Sequence, residues 1–210
     1  MIDPSKLVLF LMAAVLLAIA PGPGMLYVLA RSLAGGRREG VLSSLGTFVG
    51  GMVHVMAAAA GVSVVLARSV MAFATVKYAG AAYLCFLGIR MILDARKDER
   101  SQPAEAGVPA RNPFWQGIAT EVLNPKTALF FLSFIPQFVD RQSGHVFWPF
   151  LMLGTISVTL NTTADLIVTV CAGPLGNRIR SSARFRRTQR TATGAIMIGL
   201  GTYLATSKAE

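Results

Sequence analysis

The chain has 210 residues, 53% of them hydrophobic and only 14% charged, with a mean hydropathy of +0.56. A soluble globular protein of this length needs charged faces on most of its helices, but the long runs here are apolar all round, which sets the soluble class aside. A net charge of +10 would suggest a nucleic-acid partner in a soluble domain, yet these charges sit between apolar runs, the pattern of an integral membrane protein in a lipid bilayer.

Six apolar runs of about the length that crosses a hydrocarbon core follow in order: Leu7–Ala30, Val41–Ala67, Val70–Leu93, Phe114–Val139, Val146–Ala172 and Thr191–Thr206. The first is too long for a signal h-region and lacks a small-residue cleavage site, so it reads as a retained span. It is broken in its middle by Pro21-Gly22-Pro23-Gly24. In hydrocarbon a helix is interrupted only where protein or a wet cavity satisfies the freed backbone groups. Gly22 before Pro23 fits an N-cap with proline at the first helical position, so a half-helix is expected to start at Pro23.

The second span carries Gly46, Gly50 and Gly51 at helix-packing spacing and His54 near mid-depth. A lone histidine on an apolar helix serves either as an interhelical donor or, because it titrates near neutral pH, as a proton carrier. The third span holds Cys85, and the fifth Cys171. Two cysteines inside apolar runs imply packing, with neither a disulfide framework nor a zinc site.

The segment from Asp94 to Pro113 is polar and charge-balanced and cannot bury a core, so it reads as a cytoplasmic linker. The division is then residues 1–93 as a first three-helix repeat, 94–113 as linker and 114–210 as a second. Three spans per half is an odd number, so the second half enters with inverted topology. The third spans echo one another weakly, Lys77, Gly80, Ala81 and Leu87-Gly88 against Arg190, Gly194, Ala195 and Leu200-Gly201. The expected fold is all-α, six transmembrane helices in a 3+3 inverted repeat with broken first and fourth helices, and paired breaks of this kind point to a transporter's binding site.

The fourth span is broken at Asn124-Pro125-Lys126, where Asn124 fits an N-cap and Pro125 the first helical position. Among ten acidic residues only Glu121 and Asp165 fall inside spans, where ionisable groups are costly and functional by default. Glu121 can pair with Lys126 across the break, hold a substrate ammonium or carry protons. Asp165, in the fifth span, lies one helical turn after Asn161 with Thr162 and Thr163 between. For both acids a structural hydrogen-bond network is the alternative. One His and two acids without thiolates make too thin a set for a metal.

Fourteen of the twenty basic residues fall in the connections after the first, third and fifth spans or, as Arg90 does, at a span end beside them, including Arg37, Arg38, Arg96 and the run from Arg178 to Arg190. The positive-inside rule makes these connections cytoplasmic and puts both termini outside. With that orientation the half-helices after Pro23 and Pro125 run in opposite directions, and their positive N-terminal ends can converge on one anion. A substrate carboxylate is the expected guest at Gly22–Gly24 and Asn124–Lys126, its ammonium facing Glu121 or Asp165, so that Pro21, Gly22, Pro23, Gly24, Glu121, Asn124, Pro125, Lys126 and Asn161 form the substrate site, with His54 and Asp165 assigned to proton coupling. A pair of plain proline kinks is the alternative.

At these residues the chain resembles the lysine exporter superfamily, and within it the homoserine/threonine (RhtB-type) branch. The matching stretches are Pro21-Gly22-Pro23, Gly46 to Gly50 with His54, Lys77 to Leu84 with Leu87-Gly88, Leu123-Asn124-Pro125-Lys126 with Phe134 to Phe138, Asp165, and Gly194 with Leu200-Gly201. The resemblance implies six helices in the bacterial cytoplasmic (inner) membrane and proton-driven export of an amino acid such as homoserine, threonine, leucine or a basic amino acid, with no cofactor. At Glu121 it implies a neutral residue, often Asn, and the departure points to an extra positive charge on the guest. Export of another small solute or a cation fits the same fold. A membrane-embedded enzyme would need a nucleophile or metal set, which the sequence lacks. Spare glycine faces allow a homodimer.

Overall fold

The computed structural model describes residues 4–68, 70–97, 112–139, 146–181 and 183–206, all of them helical apart from short breaks. The helices are α1 (Pro4–Ile19), α2 (Pro23–Arg68), α3 (Val70–Lys97), α4 (Pro113–Val122), α5 (Pro125–Leu129), α6 (Phe147–Ser181) and α7 (Ala183–Thr206). Beyond α5 the chain continues through a π turn, Phe130–Phe134, and a 3₁₀ turn, Ile135–Phe138.

Both expected breaks form. At the first, the Leu26 N–H donates to the Gly22 carbonyl at 3.0 Å, so the helix starts at Pro23. At the second, Asn124 is the N-cap of α5: its side chain accepts from the Lys126 N–H at 3.1 Å, with Pro125 in the first turn. Across this break α4 and the segment Pro125–Phe138 are bent by 47°. Proline is tolerated at both starts because the N–H it lacks would have had no helical partner.

The connection expected between the first two spans is shorter than its charges suggest. Helical backbone runs on both sides of Gly36, the one residue there with non-helical angles (φ 74, ψ −169). Ser32 Oγ lies against Gly40, although eight residues of continuous helix would hold them about 12 Å apart. The chain therefore doubles back at Gly36, and α2 is a half-helix, residues 23–35, followed by a long helix, residues 37–68. A positive φ suits glycine alone. Gly36→Ala is expected to cost about 1 kcal/mol, read as a lower melting temperature of the purified protein.

Two other boundaries shift. The reading of 94–113 as linker begins too early: α3 runs to Lys97, helped by an exposed Arg90–Asp94 contact of 3.9 Å one turn apart, and residues 98–111 lie outside the described residues. The basic connection after the fifth span is made of helix ends, since α6 runs to Ser181 and α7 starts at Ala183.

Close packing comes from small residues, as lipid requires. Gly46 of α2 lies against Gly117 and the Phe114 carbonyl of α4, Gly51 of α2 against Val158 of α6, and Gly88 of α3 against Gly194 of α7. An apolar cluster centred on Phe10, Phe130, Phe131, Phe134, Phe138 and Phe150 fills the space beside the second break. Val8, Met12, Ile19, Trp115, Leu123, Trp148 and Ile167 face outward, the inside-out surface of a protein solvated by lipid tails.

Among the described residues three helical stretches are long and apolar enough to cross a membrane, Pro23–Gly61, Lys77–Ala95 and Phe147–Ala172, the first of them reversing at Gly36, and the bent pair around Asn124 makes a fourth if taken as one span. The apolar part of α1, Lys6–Ile19, is shorter than a span. It reaches span length only together with the half-helix after the break.

Candidate functional site

The two breaks face each other, and Lys126 joins them. Its Nζ donates to the Leu17 carbonyl at 3.1 Å and the Ala20 carbonyl at 2.8 Å. Leu17 lies in the last turn of α1 and Ala20 just past its end, where carbonyls have no helical partner, and a cation there also complements the negative end of the helix dipole. The lysine that opens the second half-helix thus caps the helix that ends at the first break.

Glu121, in the last turn of α4, turns its carboxylate to the same place. Oε1 accepts from Thr127 Oγ at 2.6 Å and Oε2 from Asn124 Nδ2 at 3.1 Å. Asn124 therefore works at both ends of its amide, the oxygen capping α5 and the nitrogen holding Glu121. On the other side Glu121 Oε2 presses against Gly24, where a Cβ would collide with it. Gly24→Ala, although well suited to a helix, is expected to displace this carboxylate and cut transport several-fold while protein yield stays near that of the unaltered chain.

Asp165 completes the set from α6, accepting from Thr47 Oγ of α2 at 3.0 Å. Glu121, Lys126 and Asp165 are 5%, 5% and 6% exposed, so all three are removed from bulk water. They line one cavity together with Gly22, Gly24, Asn124, Asn161 and Thr162, and with Ala18, Ala20 and Met25 beside the first break. Its free space is about 20 Å³, room for a water molecule or two in this conformation.

The sequence-derived residues are gathered unevenly. Gly22, Gly24, Glu121, Asn124, Lys126, Asn161 and Asp165 line the cavity, while Pro21, Pro23 and Pro125 flank it and set the breaks. His54 stands apart from that lining. A carbonyl only accepts, so His54 Nε2 is the donor in its 2.9 Å bond to the Glu121 carbonyl, and its ring stacks on Phe131 with centroids 6.4 Å apart. It satisfies backbone freed by the break. Thr47 and Thr127 join the site through their bonds to Asp165 and Glu121 without being marked by the sequence pattern. Their only sequence signal is a hydroxyl in an apolar run, one helical face from an acid.

A polar latch closes one end of the half-helix 23–35. Arg31, 3% exposed, pairs with Glu39 at 3.2 Å across the Gly36 turn and donates to Gln116 of α4. Tyr27 donates its hydroxyl to the Pro113 carbonyl at 2.7 Å, and Ser32 donates to Thr169 of α6 at 3.2 Å. The apolar aromatic cluster lies beyond the break at the other end. A cavity with three buried charges, polar bonds on one flank and stacked rings on the other is suited to holding a small charged solute.

The sequence matches the family described as LysE type translocator over residues 15–208. The chain belongs to this family. It is thus a multi-pass membrane translocator rather than an enzyme. It is 35% identical over 208 residues to an uncharacterized membrane protein of Pseudomonas aeruginosa, covering 94% of each chain. An uncharacterized membrane protein of Vibrio cholerae is 31% identical over 201 residues, covering 95% of this chain and 96% of that one. The leucine efflux protein of Salmonella typhimurium is 26% identical over 197 residues, covering 94% of this chain and 93% of its own. No solved structure matches the chain.

Proposed function

We propose that this translocator exports an amino acid across the bacterial cytoplasmic membrane in exchange for protons. The observation that carries the reading is the buried trio Glu121, Lys126 and Asp165 around a cavity between two helix breaks. An amino acid brings a carboxylate for the side of Lys126 and the half-helix starts at Gly22–Gly24 and Asn124–Lys126, and an ammonium for Asp165 or Glu121. The leucine efflux proteins among its relatives support a substrate of this class. Asp165 is the proton carrier in this reading, with His54 in support through the Glu121 backbone.

The architecture proposed is the 3+3 inverted repeat of residues 1–93 and 114–210, six spans with both termini outside. Reciprocal packing supports it. Gly51 meets Val158 while Gly154 meets Val55, and Gly88 and Gly194 each lie against the other's carbonyl and the other helix's isoleucine, Ile198 and Ile92. The partners Pro23 and Pro125, Gly51 and Gly154, and Gly88 and Gly194 are separated by nearly the same sequence interval. Alternating access would then rock one repeat against the other around the site.

The test is a bacterial host stripped of its own amino-acid exporters and fed dipeptides. Expression of this chain is expected to lower the internal pool of at least one amino acid and raise it in the medium. If every pool stays as high as in cells without the chain, the reading is wrong.

A further inference from the structure

The two carboxylates of the cavity are held in different ways. Glu121 has a donor on each oxygen, Thr127 Oγ at 2.6 Å and Asn124 Nδ2 at 3.1 Å. An amide nitrogen only donates, and the Thr127 hydroxyl has no second acceptor among the described residues. Both bonds therefore suit a charged Glu121, since a proton on either oxygen would displace one of these donors.

Asp165 is held otherwise. Among the described residues its carboxylate has one hydrogen-bond partner, Thr47 Oγ at 3.0 Å, and the same oxygen lies 3.0 Å from the Ser44 carbonyl of its own helix. A hydroxyl carries one hydrogen and a carbonyl only accepts. With Asp165 charged, that hydrogen serves the carboxylate, and Ser44 keeps the backbone bond of a carbonyl inside a helix. With Asp165 protonated, the carboxyl O–H donates to Thr47 Oγ and the Thr47 hydrogen turns to Ser44, a bond to its own helix that threonine commonly makes. The two states differ by a rotation about one C–O bond, and no heavy atom has to move.

Resting on the exchange reading above, we propose that Thr47 is the positioning residue of its proton step: the hydroxyl partners Asp165 in both the charged and the protonated state, while Glu121 keeps its charge. The proton that Asp165 loses goes to water, and the Thr47 hydrogen takes its place between the same two oxygens. The charged groups lining the cavity with Asp165 are Glu121 from α4 and Lys126 from α5. α1 and α2 add none to that lining, and His54 of α2 lies outside it. A hydrogen bond to a charged acceptor is worth more than one between neutral groups, so removing the hydroxyl disfavours the charged carboxylate more than the protonated one.

The test is an infrared pH titration of the purified full-length chain in detergent, following the carboxylic-acid C=O band that appears when a carboxylate takes a proton. The part of the band that Asp165→Asn lacks belongs to Asp165, and Glu121→Gln is expected to leave the whole band in place. Thr47→Val keeps the shape without the hydroxyl and is expected to move the midpoint of the Asp165 part about one unit toward higher pH, about tenfold in proton affinity. Thr47→Ser restores the hydroxyl and is expected to restore the midpoint. Thr47→Ala, with less bulk, carries the same expectation as Thr47→Val should that variant not fold. An unmoved midpoint in a folded variant without the hydroxyl overturns the role of Thr47 while Asp165 stays the proton carrier. A titrating part of the band that Glu121→Gln removes overturns the assignment of a fixed charge to Glu121. An identical band in the unaltered chain and in Asp165→Asn overturns the proton-carrier reading and this inference with it.

Discussion

Lys126→Met is expected to abolish transport and to lower the melting temperature of the detergent-solubilised protein. The substitution keeps the length and removes the charge. It leaves the Leu17 and Ala20 carbonyls without a donor at membrane depth, a loss of roughly 1–3 kcal/mol for each orphaned group. It also takes the one cation from a cavity with two carboxylates, so the charge imbalance doubles. Both effects act where α1 ends and α5 begins, and the two breaks are expected to lose their mutual register. Melting and efflux measured together check this: full efflux with unchanged melting would mean that Lys126 neither caps α1 nor serves the site.

Asp165→Asn is the second large effect. Asn has the same shape and can still accept from Thr47, so the fold and the helix contacts are expected to survive, with melting near that of the unaltered chain. In the proposed exchange, the group that takes and releases a proton is gone. Efflux driven by a proton gradient is expected to fall roughly tenfold or more, the worth of at least about 1.4 kcal/mol at the site. Exchange of amino acid for amino acid needs no net proton movement and is expected to fall less. Equal loss of both in a well-folded variant would make Asp165 a binding group only.

The helix breaks were legible because their causes are local. Proline without an N–H and an Asn that caps from the preceding position act within a few residues, so Pro23, Asn124 and Pro125 announce the half-helices directly. The intramembrane acids were legible for a different reason: a charge in an apolar run is costly enough to be noticed. Their partners were not legible. Lys126 reads beside Glu121 as half of an ion pair, yet its bonds go to carbonyls more than a hundred residues away, and Glu121 is held by Asn124 and Thr127 instead.

His54 shows the same limit. Its place in an apolar span allows a proton carrier or an interhelical donor, and the bond it makes is to backbone that the break itself exposed. A broken helix creates acceptors that no side-chain pattern records. Gly36 shows another, since a turn among arginines looks like a loop in sequence although one residue of positive φ suffices to reverse the chain.

The two breaks line one cavity, and in the proposed exchange this site moves an amino acid against a proton. Its most direct test is efflux of a labelled amino acid from liposomes containing the purified chain, with the outside made acidic. Efflux is expected to run faster than from protein-free vesicles, to slow when a protonophore collapses the gradient and to fall steeply in Asp165→Asn. Efflux of every amino acid at the protein-free rate, or efflux indifferent to the gradient, would contradict the proposed exchange.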